Sequence, residues 1–102
     1  GKQLQLTEIQ KYSVELTEFI DKNLFYPRRA LLLKQEGTVK VQLTIGRRGH
    51  FSKIIVVQST QYSSLNNAAA KLVASLKSFK PLPQSLGNKK DFIIPISYNI
   101  KN

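Results

Sequence analysis

The segment Gly37-Thr38-Val39-Lys40-Val41-Gln42-Leu43-Thr44-Ile45-Gly46-Arg47-Arg48-Gly49-His50-Phe51-Ser52-Lys53-Ile54-Ile55-Val56-Val57-Gln58 reads as two strands joined by a tight turn. Val39, Val41, Leu43 and Ile45 alternate with Thr38, Lys40, Gln42 and Thr44, a period of two that buries one face of a strand and wets the other. Gly46-Arg47-Arg48-Gly49 has the length of a reversing turn, and the β-branched run from Phe51 to Gln58 follows it. The pair predicts a hairpin. Phe51, Ile54 and Val56 do not keep strict alternation, so a bulge is expected near Ser52 and Lys53.

Beyond the hairpin, a polar loop from Ser59 to Ser63 gives way to a helical stripe at Leu65, Ala68, Ala69, Leu72, Val73, Leu76 and Phe79. Ser64 or a neighbouring serine is the expected N-cap, and Pro81 and Pro83 stop the helix by Lys80. Gln84 to Lys90 reads as a loop. Phe92, Ile94, Ile96, Tyr98 and Ile100 then alternate with Ile93, Pro95, Ser97 and Asn99 as a third strand. A proline cannot donate to a ladder, so Pro95 places that strand at an edge. The intervening helix carries the chain back, so the third strand runs parallel to the second and lies antiparallel beside the first.

On the N-terminal side, Thr7-Glu8-Ile9-Gln10 matches a capping box, and Ile9, Tyr12, Leu16, Phe19 and Ile20 form an apolar stripe that Leu24 continues. A helix from about residue 7 to 22 is expected, closed by Asn23 in a left-handed conformation. Pro27 predicts an extended Leu24 to Tyr26 and a short helix from Pro27 to Lys34, ended by Gly37. The expected fold is α+β: a three-stranded antiparallel sheet of order 2-1-3, two long helices on one face, and a short helix before the first strand. Residues 1–25 read as an amphipathic helix and lead-in packed on a domain formed by residues 26–102.

Composition narrows the function. The chain has 102 residues, 16 Lys plus Arg against 6 Asp plus Glu, a net charge of +10, and no Cys. Residues 1–36 hold six basic and five acidic side chains, and residues 37–102 hold ten basic and one acidic, so the excess lies in the second part. Apolar runs such as Ala30 to Leu33 are far below the roughly 20 residues of a membrane span, which predicts a soluble domain. The start at Gly1-Lys2-Gln3 shows no signal peptide and reads as a piece of a longer protein.

Catalysis lacks its parts. His50 is the only histidine and there is no cysteine, which excludes multi-imidazole and thiolate metal sites, and the carboxylates sit mostly on the outer face of the first helix. Gly46 and Gly49 belong to a hairpin, not to a phosphate-cradling turn between strand and helix. Two binding modes remain. The third strand offers unpaired backbone groups to an extended peptide. Alternatively, a basic sheet carrying Phe92 and Tyr98 stacks nucleic-acid bases, although both aromatics are in phase with Ile94 and Ile96 and so belong to the core side.

The order Tyr26-Pro27-x-x-Ala30, then Glu36-Gly37-x-Val39-x-Val41-x-Leu43-x-Ile45-x-x-x-Gly49-x-Phe51, resembles the C-terminal domain of the TonB family. The likeness continues through Ser59, Leu65-Asn66-x-Ala68-Ala69, Phe79-Lys80-Pro81-Leu82-Pro83 and Pro95-Ile96-x-Tyr98, covering residues 26–100. Asn66 stands where the family has Asp, Thr60 where it has a second Ser, and the helix before Tyr26 precedes the shared motifs. That helix is either an addition packed on the domain or a cover over part of the peptide site.

The resemblance implies a non-catalytic periplasmic domain, anchored in the bacterial inner membrane outside this stretch and driven by proton-channel partners there. Such a domain grips the TonB box of outer-membrane transporters by strand addition and needs no cofactor or metal. Carried onto this sequence, Phe92, Ile93, Ile94, Pro95, Ile96, Ser97, Tyr98, Asn99 and Ile100 supply main-chain bonds, and Asn23, Leu24, Phe25 and Tyr26 contact the same peptide. Arg47, Arg48 and Lys53 are candidates for electrostatic steering toward acidic targets. A TolA-like periplasmic scaffold and a basic nucleic-acid-binding domain are the alternatives, and the edge strands leave a homodimer open.

Overall fold

Alternation decides the middle of the molecule. In the computed structural model, which describes residues 7–101, Val39, Val41, Leu43 and Ile45 are wholly buried on one face of β1 (Gly37–Gly46). β2 (Phe51–Gln58) and β3 (Lys89–Tyr98) flank it, both antiparallel, in the order β2-β1-β3. Phe92, Ile94 and Ile96 pair with Leu43, Val41 and Val39 and share their buried face. The architecture is the expected α+β fold with a 2-1-3 sheet. Residues 1–6, part of the expected lead-in, and Asn102 lie outside the described residues.

The β1–β2 register slips between Gln42↔Ile55 and Thr44↔Ser52, so Lys53 and Ile54 bulge opposite Leu43, and Lys53 takes a φ of 49°. The sequence places this bulge one residue earlier. A second slip, at Val57 between Lys40↔Gln58 and Val41↔Val56, has no counterpart in the reading from sequence. At the hairpin tip the Gly49 N–H donates to the Gly46 carbonyl at 2.9 Å, with Gly49 at φ 97°. This is a turn closed by a glycine bulge, which suits the twist of the two strands.

α1 (Glu8–Lys22) starts in the expected capping box: the Gln10 N–H donates to Thr7 Oγ1 and the Thr7 N–H to Gln10 Oε1. Its end differs. Asn23 has φ −100°, and its side-chain amide donates to the Phe19 carbonyl at 2.8 Å, so it closes the helix by hydrogen bonding instead of a left-handed turn. α2 (Arg28–Leu32) is shorter than expected and is ended by Lys34, not Gly37. Lys34 sits at φ 52°, its N–H donates to Leu31 and the Gln35 N–H to Ala30, the paired bonds of a helix-closing motif usually built on glycine.

α3 (Ser63–Leu76) has Tyr62, not a serine, at its N-cap, with no side-chain cap bond. Instead Asn66 brackets the preceding loop, accepting from the Thr60 N–H at 2.8 Å and donating to the Thr60 carbonyl at 3.0 Å. α3 also stops before Phe79. Lys77 turns to φ 67°, its carbonyl accepts from the Phe51 N–H, and the Phe79 N–H donates to Gly49, so residues 77–79 pair with the hairpin tip.

Both long helices cover the same face. α1 lies on β3, and α3 lies on β1 and β2. Tyr12, Leu16 and Ile20 of α1 are buried in one cluster with Leu65, Ala69 and Val73 of α3 and the inward residues of the sheet. Tyr12 anchors α1, packing on Phe79 and Phe92 at ring distances of 5.5 and 5.4 Å while its hydroxyl donates to the Lys80 carbonyl at 2.7 Å. Lys80 also forms an ion pair with Glu15.

Candidate functional site

Which backbone groups of β3 are free follows from the hairpin. The Gly46 N–H donates to the His50 carbonyl at 2.9 Å, so Gly46 turns its backbone groups toward β2. Successive residues of a strand face opposite sides, and therefore Thr44 and Gln42 also face β2 while Ile45, Leu43, Val41 and Val39 face β3. Their partners Lys90, Phe92, Ile94 and Ile96 complete that ladder. Asp91, Ile93, Pro95 and Ser97 are left turned to the outer edge, where no strand lies among the described residues. Pro95, which has no N–H, thus spends its missing donor on the open side, the one place a strand tolerates it.

The same alternation puts the side chains of Asp91, Ile93, Pro95 and Ser97 on the exposed face. Two contacts hold them to β1: Thr44 Oγ1 donates to Asp91 Oδ1 at 2.5 Å, and the Thr38 and Ser97 hydroxyls lie 3.0 Å apart. Alongside the first half of the edge runs a groove of about 530 Å³, lined by Ile9, Gln10, Ser13 and Val14 of α1 and by Asp91, Phe92 and Ile93. Val14 and Ile93 are 47% and 56% exposed, apolar side chains left wet beside unpaired backbone. α1 presents this wall on the flank of its buried stripe: Ile9 packs partly on the core beside Tyr12, Leu16 and Ile20, and Gln10, Ser13 and Val14 carry the surface outward from it.

The other sequence candidates are dispersed. Tyr26 stacks edge-on against Tyr98 at 5.3 Å, at the far end of β3, and its hydroxyl donates to the Gln35 carbonyl. Leu24 packs against the core. Asn23 and Phe25 line a different cleft, of about 480 Å³, with Pro27, Ala68, Lys71 and Leu72. Asn99 and Ile100 are not strand residues: β3 ends at Tyr98, and the Ile100 N–H donates to Glu36 at 3.1 Å. β3 instead begins earlier, at Lys89, in what reads from sequence as a loop.

Arg47 and Arg48 are exposed in the hairpin turn and Lys53 in the bulge of β2, away from the open edge of β3. Lys89 pairs with Gly46 and Lys90 with Ile45, which adds two cations to that end of the sheet. The groove wall of Ile9, Gln10, Ser13 and Val14 was not among the sequence candidates. Its one signal is Val14, an apolar residue outside the buried stripe of α1.

Burial pushes the Tyr98 hydroxyl up to about 12, with Tyr26 adding a smaller effect, and Tyr98 is wholly buried, its oxygen finding no hydrogen-bond partner among the described residues. Tyr26 is raised by desolvation and then by Glu36. Among the described residues no group of three or more His, Cys, Asp or Glu is placed to hold a metal ion.

A family model described as the Gram-negative bacterial TonB protein C-terminal matches residues 22–100. The chain belongs to the TonB C-terminal family. It is 28% identical over 102 residues to the protein TonB of Pasteurella multocida, covering 100% of this chain and 39% of that one. With the protein TonB of Helicobacter pylori it shares 36% identity over 76 residues, 74% of this chain and 26% of that protein. The fold superposes on the solution structure of the Helicobacter pylori TonB C-terminal domain with a TM-score of 0.73 at 28% identity, covering 95% of this chain and 86% of that one. The chain thus spans well under half the length of the curated relatives it matches. TonB C-terminal domains are non-catalytic, so the chain is not an enzyme.

Proposed function

We propose that this TonB-family domain works in the periplasm, capturing the TonB-box peptide of outer-membrane transporters as a strand added to β3. One observation carries the reading: Asp91, Ile93, Pro95 and Ser97 turn their backbone groups to an edge that no strand among the described residues covers and that runs beside an apolar groove. Added strands gain affinity from main-chain bonds and specificity from pockets for alternate side chains. Here alternate side chains of the captured strand face Val14 and Ile93, while Tyr26 stands at the Tyr98 end.

The remaining parts of the device lie in segments outside this chain: an inner-membrane anchor and contacts to proton-channel partners, whose force pulls along the domain to open the transporter. Arg47, Arg48 and Lys53, joined by Lys89 and Lys90, steer the domain toward acidic faces of its targets, an effect that salt weakens. Nucleic acid is the weaker reading, because Phe92 and Tyr98 are buried and offer no base a stacking face.

Calorimetric titration with a TonB-box peptide tests the proposal, using a second peptide N-methylated at alternate residues to remove its donors. Saturable one-to-one binding that N-methylation abolishes is expected. Equal affinity for both peptides, or binding only to a single-stranded oligonucleotide, contradicts it. Binding of neither leaves a TolA-like scaffold as the better reading.

A further inference from the structure

Of the eight large hydrophobic side chains exposed among the described residues, four fall between residues 25 and 33: Phe25 at 70%, Leu31 at 41%, Leu32 at 73% and Leu33 at 57%. The peptide edge does not use them. Ala30 is wholly buried and fixes the rotation of α2, so Leu32, about 200° further round, points away from the core. Arg28 and Arg29, both exposed, precede Leu32 by one turn and share its outward side. Lys34 follows at the helix end, held in its left-handed conformation by the bonds of the closing motif.

No Asp or Glu occurs between Lys22 and Gln35. Phe25 and Pro27 extend the surface into the 480 Å³ cleft against Ala68 and Leu72 of α3, where Lys71 adds another cation. Apolar tips beside Arg28, Arg29, Lys34 and Lys71, with Asp21 and Glu36 only at the borders of the segment, are the chemistry of a surface that meets anionic headgroups and an acyl boundary together. A second copy fits poorly, since a two-fold contact would bring two copies of the same cationic patch, Arg28, Arg29 and Lys34, into one interface.

We propose that α2, with Phe25 and the neighbouring cleft, is a docking surface for an anionic phospholipid bilayer. The surface stands at the Gly37–Tyr98 end of the sheet, whereas the α1–β3 groove opens near Asp91 at the other end, so docking leaves the groove accessible. A membrane-docked domain is held at a bilayer face with its peptide edge free to search.

Co-sedimentation of the 102-residue chain with phosphatidylcholine vesicles, with and without phosphatidylglycerol, tests this. Binding is expected only to the anionic vesicles. Each cation at such a surface is worth about fivefold in partitioning, so Arg28→Gln with Arg29→Gln lowers it about 25-fold. Leu32→Ser lowers it about tenfold by removing the inserted side chain. All three positions are exposed, so melting curves should stay unchanged. Arg47→Gln with Arg48→Gln removes the same charge at the hairpin end and is expected to have a much smaller effect. An equal loss in that control reduces the attraction to net charge and overturns the proposal. So do binding insensitive to Leu32→Ser, absence of binding to anionic vesicles, or a dimer in sedimentation equilibrium that Leu32→Ser dissociates.

Discussion

Replacing Pro95 by valine separates the two sides of β3. The alternation set by the Gly46–His50 bond turns the Pro95 nitrogen to the open edge, so Pro95→Val creates a new N–H there and none toward Lys40 on β1. The side chain is exposed, and no packing is lost. Losing proline's restriction of the unfolded chain costs about 0.4–1 kcal/mol. Valine's preference for a pleated strand offsets up to about 1 kcal/mol of that, so folding stability should move little. An incoming strand gains one main-chain hydrogen bond worth about 0.5–1.5 kcal/mol, which is about 2- to 12-fold in Kd. Calorimetry with the TonB-box peptide reads the affinity, and amide exchange reads the new N–H directly. At position 95 exchange should be fast in the free variant and slow in the complex, with some rise in self-association through the unblocked edge. A slowly exchanging amide in the free variant, with stability raised by a bond's worth, would mean that the nitrogen faces β1 and that the alternation is assigned backwards. Unchanged peptide affinity would refute pairing at this edge.

Three further substitutions or conditions probe the frame around the site. Leu16→Ala in α1 empties a wholly buried position and should cost about 3 kcal/mol in urea denaturation; a cost under about 1 kcal/mol would make α1 an accessory and not part of the core. Gly49→Ala should destabilise by at least about 3 kcal/mol, because its Cβ would come within 2.0 Å of the Phe79 carbonyl oxygen at φ 97°; a stable variant would contradict the pairing of residues 77–79 with the hairpin tip. Burial holds the Tyr12 and Tyr98 protons more tightly in the fold, raising both hydroxyls from 10.0 to about 12. Stability is therefore full below pH 10.0 and is lost as the pH climbs through about 12, and phenolate absorbance should rise for these two together with unfolding. Normal ionisation of both in an intact fold, assigned with Tyr12→Phe and Tyr98→Phe, would contradict it.

Where one element's own pattern decides, the sequence is explicit. The alternation at Val39 to Ile45 and at Phe92 to Tyr98, the capping box at Thr7, and Pro95 together give the strands, the edge and the order of the sheet. What escapes is settled between elements. α3 stops at Leu76 because residues 77–79 find partners at the hairpin tip, a bond set that no local propensity encodes. Lys34 and not Gly37 closes α2, against the usual preference for glycine. Within the candidate site, the open edge of β3 was readable, but the wall beside it was not, because only packing brings Val14 and Ile93 to one groove. Phe25 reads as part of the same peptide contact, yet the turn into Pro27 sends it to the face of α3.

Peptide capture at the β3 edge is the central claim, and amide chemical-shift mapping of the labelled domain with a TonB-box peptide tests it most directly. The account predicts saturable shifts at Asp91, Ile93 and Ser97, with Ser13 and Val14 moving across the groove and the outer edge of β2 silent. Shifts confined to β2, to the cleft around Phe25 and Leu72, or to Arg47 and Arg48 would contradict it.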